Sequence, residues 1–145
     1  MSVANYSTKI SCGRTVGEIQ EMLAEHGAES VLIEFQDKQP AAVSFRILVG
    51  DRSVPFRLPI NPEATLVRLE DDPAVPGRLC HLDQARKVAW RTVRQWLLAQ
   101  LQFIADGQVS FVQAMMPYAL DEQSGQTFFE AFSQRLLAAP EGDSL

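Results

Sequence analysis

The sequence predicts an α+β fold: a three-stranded antiparallel β-meander packed on a long central helix, with additional helices completing the core. Three observations predict it. Residues 31–58 alternate apolar and polar side chains at period two, in three runs separated by turn residues. Residues 82–106 instead repeat apolar side chains at helical spacing, and Gly107 follows where such a helix would stop. The 145 residues, 46% hydrophobic and 21% charged, amount to one domain with enough apolar chain for its own core. That composition excludes a disordered chain, a collagen-like repeat and a disulfide-dense scaffold.

The elements follow in order. Residues 1–12 read as a loose lead-in. Thr15-Val16-Gly17-Glu18 fits a capping box, a threonine cap with a glutamate three residues on. Val16, Ile19, Met22, Leu23 and His26 then recur at helical spacing, with His26 partly buried in the last turn, and Gly27 supplies the left-handed residue after it. Glu18, Glu21 and Glu25 lie on the other face, which is expected to look out to water.

Val31, Ile33 and Phe35 form the inward set of a first strand, Val43, Phe45 and Ile47 of a second, Val54, Phe56 and Leu58 of a third. Gly50-Asp51 suits a two-residue type II′ turn, with glycine at the first central position. That turn places Ile47 opposite Val54, Phe45 opposite Phe56 and Val43 opposite Leu58, so every inward pair is apolar. Pro55 has no N–H for a ladder, which makes the third strand an edge. A loop over Asp37–Pro40 joins the first two strands, and matching faces would pair Phe35 with Val43 and Ile33 with Phe45.

Asn61-Pro62-Glu63 is a helix start, with a side-chain cap, proline at the first helical position and an acid in the first turn. This short helix should end near Glu70. Asp71–Cys80, with Pro73, Pro76 and Gly77, reads as a loop and as the best candidate for a mobile segment. The long helix from Leu82 to Asp106 would span about 36 Å. Its expected buried stripe is Ala85, Val88, Ala89, Thr92, Val93, Trp96, Leu97, Gln100, Leu101 and Ile104. Ser110 can cap a short helix to Met116, stopped by Pro117. A last helix is expected from Gly125 to Ala138, capped by Ser124, with Phe128, Ala131, Phe132 and Leu136 inward. Residues 140–145 should fray.

Charge is unevenly placed. Thirteen Lys and Arg against eighteen Asp and Glu give a net −5. Between Arg78 and Arg94, however, five bases meet one acid, Asp83, which leaves +4 there and −9 elsewhere. Lys87, Arg91 and Arg94 fall on one helix face, with Arg86 and Trp90 beside them. A tryptophan exposed among these bases could stack a nucleic-acid base or take a cation–π contact. Alternatively Trp90 packs on the β region while the bases snorkel over it or pair with acids of the first helix. On the sheet's outer face Arg57 lies opposite Ser44 with Arg46 diagonal to it. The two form either a platform for phosphates or an ordinary surface, with Arg46 paired to Glu34. Phe111, Met115, Met116, Pro117 and Tyr118 make a methionine-bearing apolar segment, an adaptable interface or a cap over the core.

Catalytic patterns are missing from the sequence. Cys12, Cys80, His26 and His81 show no chelating spacing, so no metal site is expected. Cys80 and His81 are adjacent, which rarely lets two side chains act on one another. There is no G-x-S-x-G, no H-E-x-x-H and no glycine-rich phosphate loop after a strand. Asp71-Asp72 and Asp121-Glu122 read as loop or helix-start carboxylates. No catalytic residue and no cofactor is therefore assigned. The start, MSVANYSTKI, has no apolar stretch of the kind a secretory signal needs, and no run is long enough to cross a membrane. A cytoplasmic setting with two free thiols is expected.

The stretches S-F-R-I (44–47), V-P-F-R-L-P (54–59), V-A-W-R-x-V-R-x-W-L-x-A-Q (88–100) and M-P-Y-A (116–119), with Y-S-T-K-I (6–10) and R-T-V-G-E-I-Q-x-M-L (14–23), resemble a family of small uncharacterised phage and prophage-type proteins. The resemblance covers nearly the whole chain and carries no catalytic motif, so it transfers no functional residue. It implies a mobile-element setting, in which small accessory proteins bind host proteins or nucleic acid. The function expected is that of a non-enzymatic accessory or regulatory protein binding a host or phage protein, since overall acidity disfavours phosphate neutralisation. One alternative is a nucleic-acid binder using residues 86–94, with Arg46 and Arg57 as further contacts; another is a small enzyme of unknown class. The oligomeric state is left open.

Overall fold

A computed structural model describes residues 1–138; the tail expected to fray lies outside the described residues. The chain forms α1 (Cys12–Glu25), β1 (Ser30–Gln36), β2 (Gln39–Val49), β3 (Arg52–Arg57), α2 (Pro62–Asp71), α3 (Leu82–Ala105), α4 (Phe111–Met115) and α5 (Phe128–Ala138), with 3-10 turns at Gly77–Leu79 and Met116–Tyr118. The strands make one antiparallel sheet in the order β1-β2-β3. The fold is α+β as the periodicities predict.

Helix α3 is the spine because two separate apolar clusters meet along it. Its first turns contribute Ala85 and Val88 to a cluster with Val3, Leu69 and Val75. Further along, Trp90, Val93, Leu97 and Leu101 join Val16, Ile19 and Leu23 of α1 and Val43, Phe45 and Phe56 of the sheet. The stripe differs from the expected one at three positions. Gln84 and Trp90 are buried, whereas Thr92 is exposed. Trp90 in fact continues the series of Val93, Leu97 and Leu101 at steps of three and four, and its indole N–H donates to the Pro40 carbonyl at 3.4 Å.

The β2–β3 hairpin has the expected register. Phe45 faces Phe56 and Ile47 faces Val54. The Leu58 N–H continues the pairing to the Val43 carbonyl at 3.0 Å. Gly50 carries the positive φ, +65°, that the type II′ turn requires of its first central residue. The Phe45 and Phe56 rings stack at 5.5 Å, and Phe111 of α4 stands edge-on to both. Tyr118 packs edge-on against Trp96 at 5.3 Å, and Met115 is fully buried. The methionine-bearing segment is therefore a cap over the core, although Met116 itself is exposed.

The β1–β2 register departs from expectation by two residues: Ile33 faces Val43 and Val31 faces Phe45. The cause is the turn. Asp37 and Lys38 alone make it, both at positive φ (52° and 65°), so β2 begins at Gln39 instead of after a four-residue loop. A bulge then absorbs one residue, with Glu34 on Ala42 and Phe35 on Pro40. Phe35, expected inward, ends up exposed at the tip of the sheet.

Other local starts also shift. Helix α1 is capped by Ser11, whose hydroxyl accepts from the Arg14 N–H at 3.1 Å, and Thr15 lies fully buried inside the helix instead of capping it. Gly27, at φ +95°, follows the helix as expected, but His26 is exposed, its Nδ1 2.8 Å from the Met22 carbonyl. The lead-in is not loose. Val3 is buried, its N–H donates to Asp72 Oδ2, and Gln84 Nε2 donates to the carbonyls of Tyr6 and Thr8. Those bonds join residues far apart in the chain, and no local pattern announces them. Asp72 also accepts from the Ala74 N–H, and Val75 is buried, so the proline-bearing loop is pinned to the body at its middle. The backbone N–H bonds hold the Asp72 carboxyl below its ordinary range.

Helix α5 differs most. It starts at Phe128, not Gly125, and its cap is Thr127: the Thr127 hydroxyl accepts from the Glu130 N–H while Glu130 Oε1 accepts from the Thr127 N–H. Residues 119–127 form a loop pinned by the Phe56–Ala119 and Leu120–Thr127 bridges. Phe128, Phe132 and Leu136, expected inward, are exposed, together with Phe129 and Leu137.

Candidate functional site

The seven residues singled out in the sequence do not form one site. Arg91 and Arg94 turn toward α1, because Glu18 sits on the α3-facing side of that helix. Arg91 Nη1 donates to Glu18 Oε2 and to Thr15 Oγ1, and Arg94 Nε lies 3.1 Å from the same Oε2, in ion-pair contact without a hydrogen bond of good geometry. Burial works to raise the Glu18 carboxyl, but the Arg91 hydrogen bond and the charges of Arg91, Arg94 and Arg14 outweigh it and hold the group below its ordinary range. The outward acidic face expected of the first helix is thus wrong at Glu18. Arg86 is paired to Asp83 at 2.8 Å, and Lys87 is half-buried. Fully buried Trp90 has no face free to stack a base. The basic strip of residues 86–94 is therefore half-buried and largely spent on intramolecular pairs, the alternative in which the arginines pair with α1.

Arg46 and Arg57 reach the outer face of the sheet, in a recess of about 380 Å³ floored in part by Leu32 and walled by residues 120–125. Both are paired. Arg57 Nη2 donates to Glu34 at 3.4 Å, and Arg46 Nη2 lies 3.1 Å from Glu122. The expected Glu34–Arg46 pair is replaced because the register shift puts Glu34 beside Ala42.

Cys80 and His81 serve local structure. The Cys80 thiol donates to the Leu69 carbonyl at 3.4 Å, and His81 caps α3, its Nδ1 accepting from the Gln84 N–H at 3.2 Å. Cys12 is buried at the start of α1, and that burial pushes its thiol pKa up despite Lys87 and Arg86. Among the described residues no group of three or more His, Cys, Asp or Glu side chains is placed to hold a metal ion, and no helix is long and apolar enough to cross a membrane.

A further concavity lies elsewhere, between residues 58–61, α3 and the chain leading into α5. It is a cleft of about 640 Å³ lined by Leu58, Pro59, Ile60, Val93, Tyr118 and Phe129, with Arg57, Asn61 and Glu130 among its polar lining. A recess of about 220 Å³ extends it along α3 to Trp96. Thr92, the exposed residue on the flank of α3, borders both. The cleft's lining is mostly apolar by area. Sequence reasoning missed it because Thr92 was placed inward and α5 was drawn into the core; the only sequence signal is the Leu58-Pro59-Ile60 run just before the Asn61 cap. No family model, no curated protein and no solved structure matches the chain.

Proposed function

We propose that this chain is a non-enzymatic accessory protein that binds another protein by taking an apolar segment of it into the cleft along α3. The observation that carries the reading is the cleft itself: about 640 Å³, mostly apolar in its lining and continued by a second recess one helical turn further along the same helix. The charge pattern supports a protein over a nucleic acid. Arg91 and Arg94 are engaged by Glu18, Arg46 and Arg57 by Glu122 and Glu34, and the chain carries net −5, so among the described residues these arginines offer phosphates no continuous basic surface. The mobile-element setting and cytoplasmic location implied by the sequence belong to the same proposal.

The test is a pull-down from a bacterial lysate, with and without nuclease, using the wild-type chain and Thr92→Arg. Arginine at this exposed helix position suits the helix and projects into the cleft. A protein captured by the wild type, resistant to nuclease and lost with Thr92→Arg, is the expected result. Capture that disappears with nuclease would move the reading to nucleic acid. Capture unaffected by Thr92→Arg would remove the cleft from it.

A further inference from the structure

Helix α5 presents Phe128, Phe132 and Leu136 at steps of four residues, one stripe on one face, flanked by Phe129 and Leu137. All five are 45–86% exposed, and no residue of the helix is buried. With aromatic and leucine side chains of about 200 Å² each, they leave roughly 600 Å² of apolar surface in water. That is at the upper limit of what monomers expose, about 300–600 Å².

We propose that α5 is a self-association surface: two copies of the chain pair through it, antiparallel, about a two-fold axis passing between Phe132 and Ser133. The area is the first argument. Covering all five side chains on both copies removes about 1,200 Å², the lower bound of a specific interface. Complementarity is the second. About that axis Phe128 of one copy is level with Leu137 of the other and Phe129 with Leu136, so both outer levels set an aromatic side chain against an aliphatic one, and the two Phe132 side chains meet beside the axis. The helix holds one acid, Glu130, and one base, Arg135, and is neutral within a chain of net −5, so a second copy meets no net like charge there. Antiparallel helices also bring opposite dipole ends together. An anionic lipid surface fits less well, because Arg135 is the single base of the helix and the remainder of the chain is acidic.

The experiment is sedimentation velocity of the full chain from about 1 to 100 µM, a range that brackets micromolar association. The wild type should pass from monomer to dimer across it. Phe132→Glu and Phe132→Lys should each weaken pairing about tenfold or more, since the side chain sits beside the axis at the centre of the contact. Mixing the two should restore a dimer, because Glu then faces Lys. Urea midpoints at about 1 µM should stay at the wild-type value for both, since the residue is exposed in the single chain. Phe129 belongs to both the cleft and the pairing face, so the separating variant is on α3: Thr92→Arg should lose partner binding and still dimerise. A wild type that stays monomeric at 100 µM, variants that dimerise as the wild type does, or a mixture that remains monomeric would each overturn the pairing. Flotation of a monomeric wild type with phosphatidylserine vesicles would overturn it in favour of lipid.

Discussion

Helices α3 and α5 both carry large apolar side chains at helical spacing, yet α3 is covered along most of its length and α5 is open. On α3, Trp90, Leu97 and Leu101 find α1 and the sheet, and Ala85 and Val88 find α2 and the N-terminal residues. On α5, Phe128, Phe132 and Leu136 stay exposed, the helix packing chiefly on the 3-10 turn Met116–Tyr118. Periodicity reports that a helix has a face to bury; it does not report what covers that face. The cover is decided by where the connecting chain delivers the helix. The loop from Ala119 to Thr127, pinned to the edge of β3, delivers α5 to the rim of the sheet and not over its inner face.

The sharpest way to break this contrast is at Trp90. Trp90→Ala removes a fully buried indole from the middle of the main core and leaves a cavity. It should cost about 3–5 kcal/mol in equilibrium urea unfolding. A cost near zero would mean that α3 is not the spine described. Glu18→Gln comes next. It leaves the Arg91 and Arg94 guanidinium groups, both mostly buried, without their carboxylate, and should cost about 1–3 kcal/mol by the same measurement. The double change of Glu18→Gln with Arg91→Met should then cost less than the two single changes added together.

The same contact has a pH signature. Glu18 titrates below its ordinary range in the folded chain, so on acidification the unfolded chain takes up this proton first. The seam's contribution is intact at neutral pH and is lost as pH falls below about 4.3 toward the lowered folded value. Glu18→Gln should therefore lose less stability than the wild type between pH 5 and pH 3, a range that takes in this window. Thermal unfolding across that range checks it. The smallest effect belongs to α5. Phe132→Ser at about 1 µM should leave stability within roughly 0.5 kcal/mol of wild type, as an exposed substitution does.

Much of the fold was legible because short-range chemistry and long-range packing agreed. Gly50-Asp51 and the alternation around it yield the β2–β3 register. Asn61 and Ser110 cap the helices they precede, and Gly107, at φ +76°, ends α3. Where the two disagreed, packing won. Thr15 and Glu18 match a capping box in the sequence, but the fold uses both as partners for Arg91, and Ser11 does the capping. The four bases on α3 look like a patch for an external anion until α1, some seventy residues earlier in the chain, supplies Glu18. The cleft left no more than the Leu58-Pro59-Ile60 run in the sequence, since Leu58, Val93, Tyr118 and Phe129 meet only through the path of the chain after α4. The fold class thus rests on periodicities a reader can count, whereas the candidate site rests on contacts between distant segments that leave little local trace.

Helix α5 lies outside the core of its own chain while α3 lies at its centre. Hydrogen exchange of the full chain, followed peptide by peptide at about 1 µM and again at about 100 µM, tests this most directly. At the lower concentration the α3 amides from Val88 to Leu101 should exchange only through global unfolding, and the α5 amides from Ala131 to Ala138 should exchange orders of magnitude faster. At the higher concentration α5 should gain protection while α3 keeps its own. Protection of α5 equal to that of α3 at about 1 µM would contradict the account, because it would place the phenylalanine-bearing helix inside the core of a single chain.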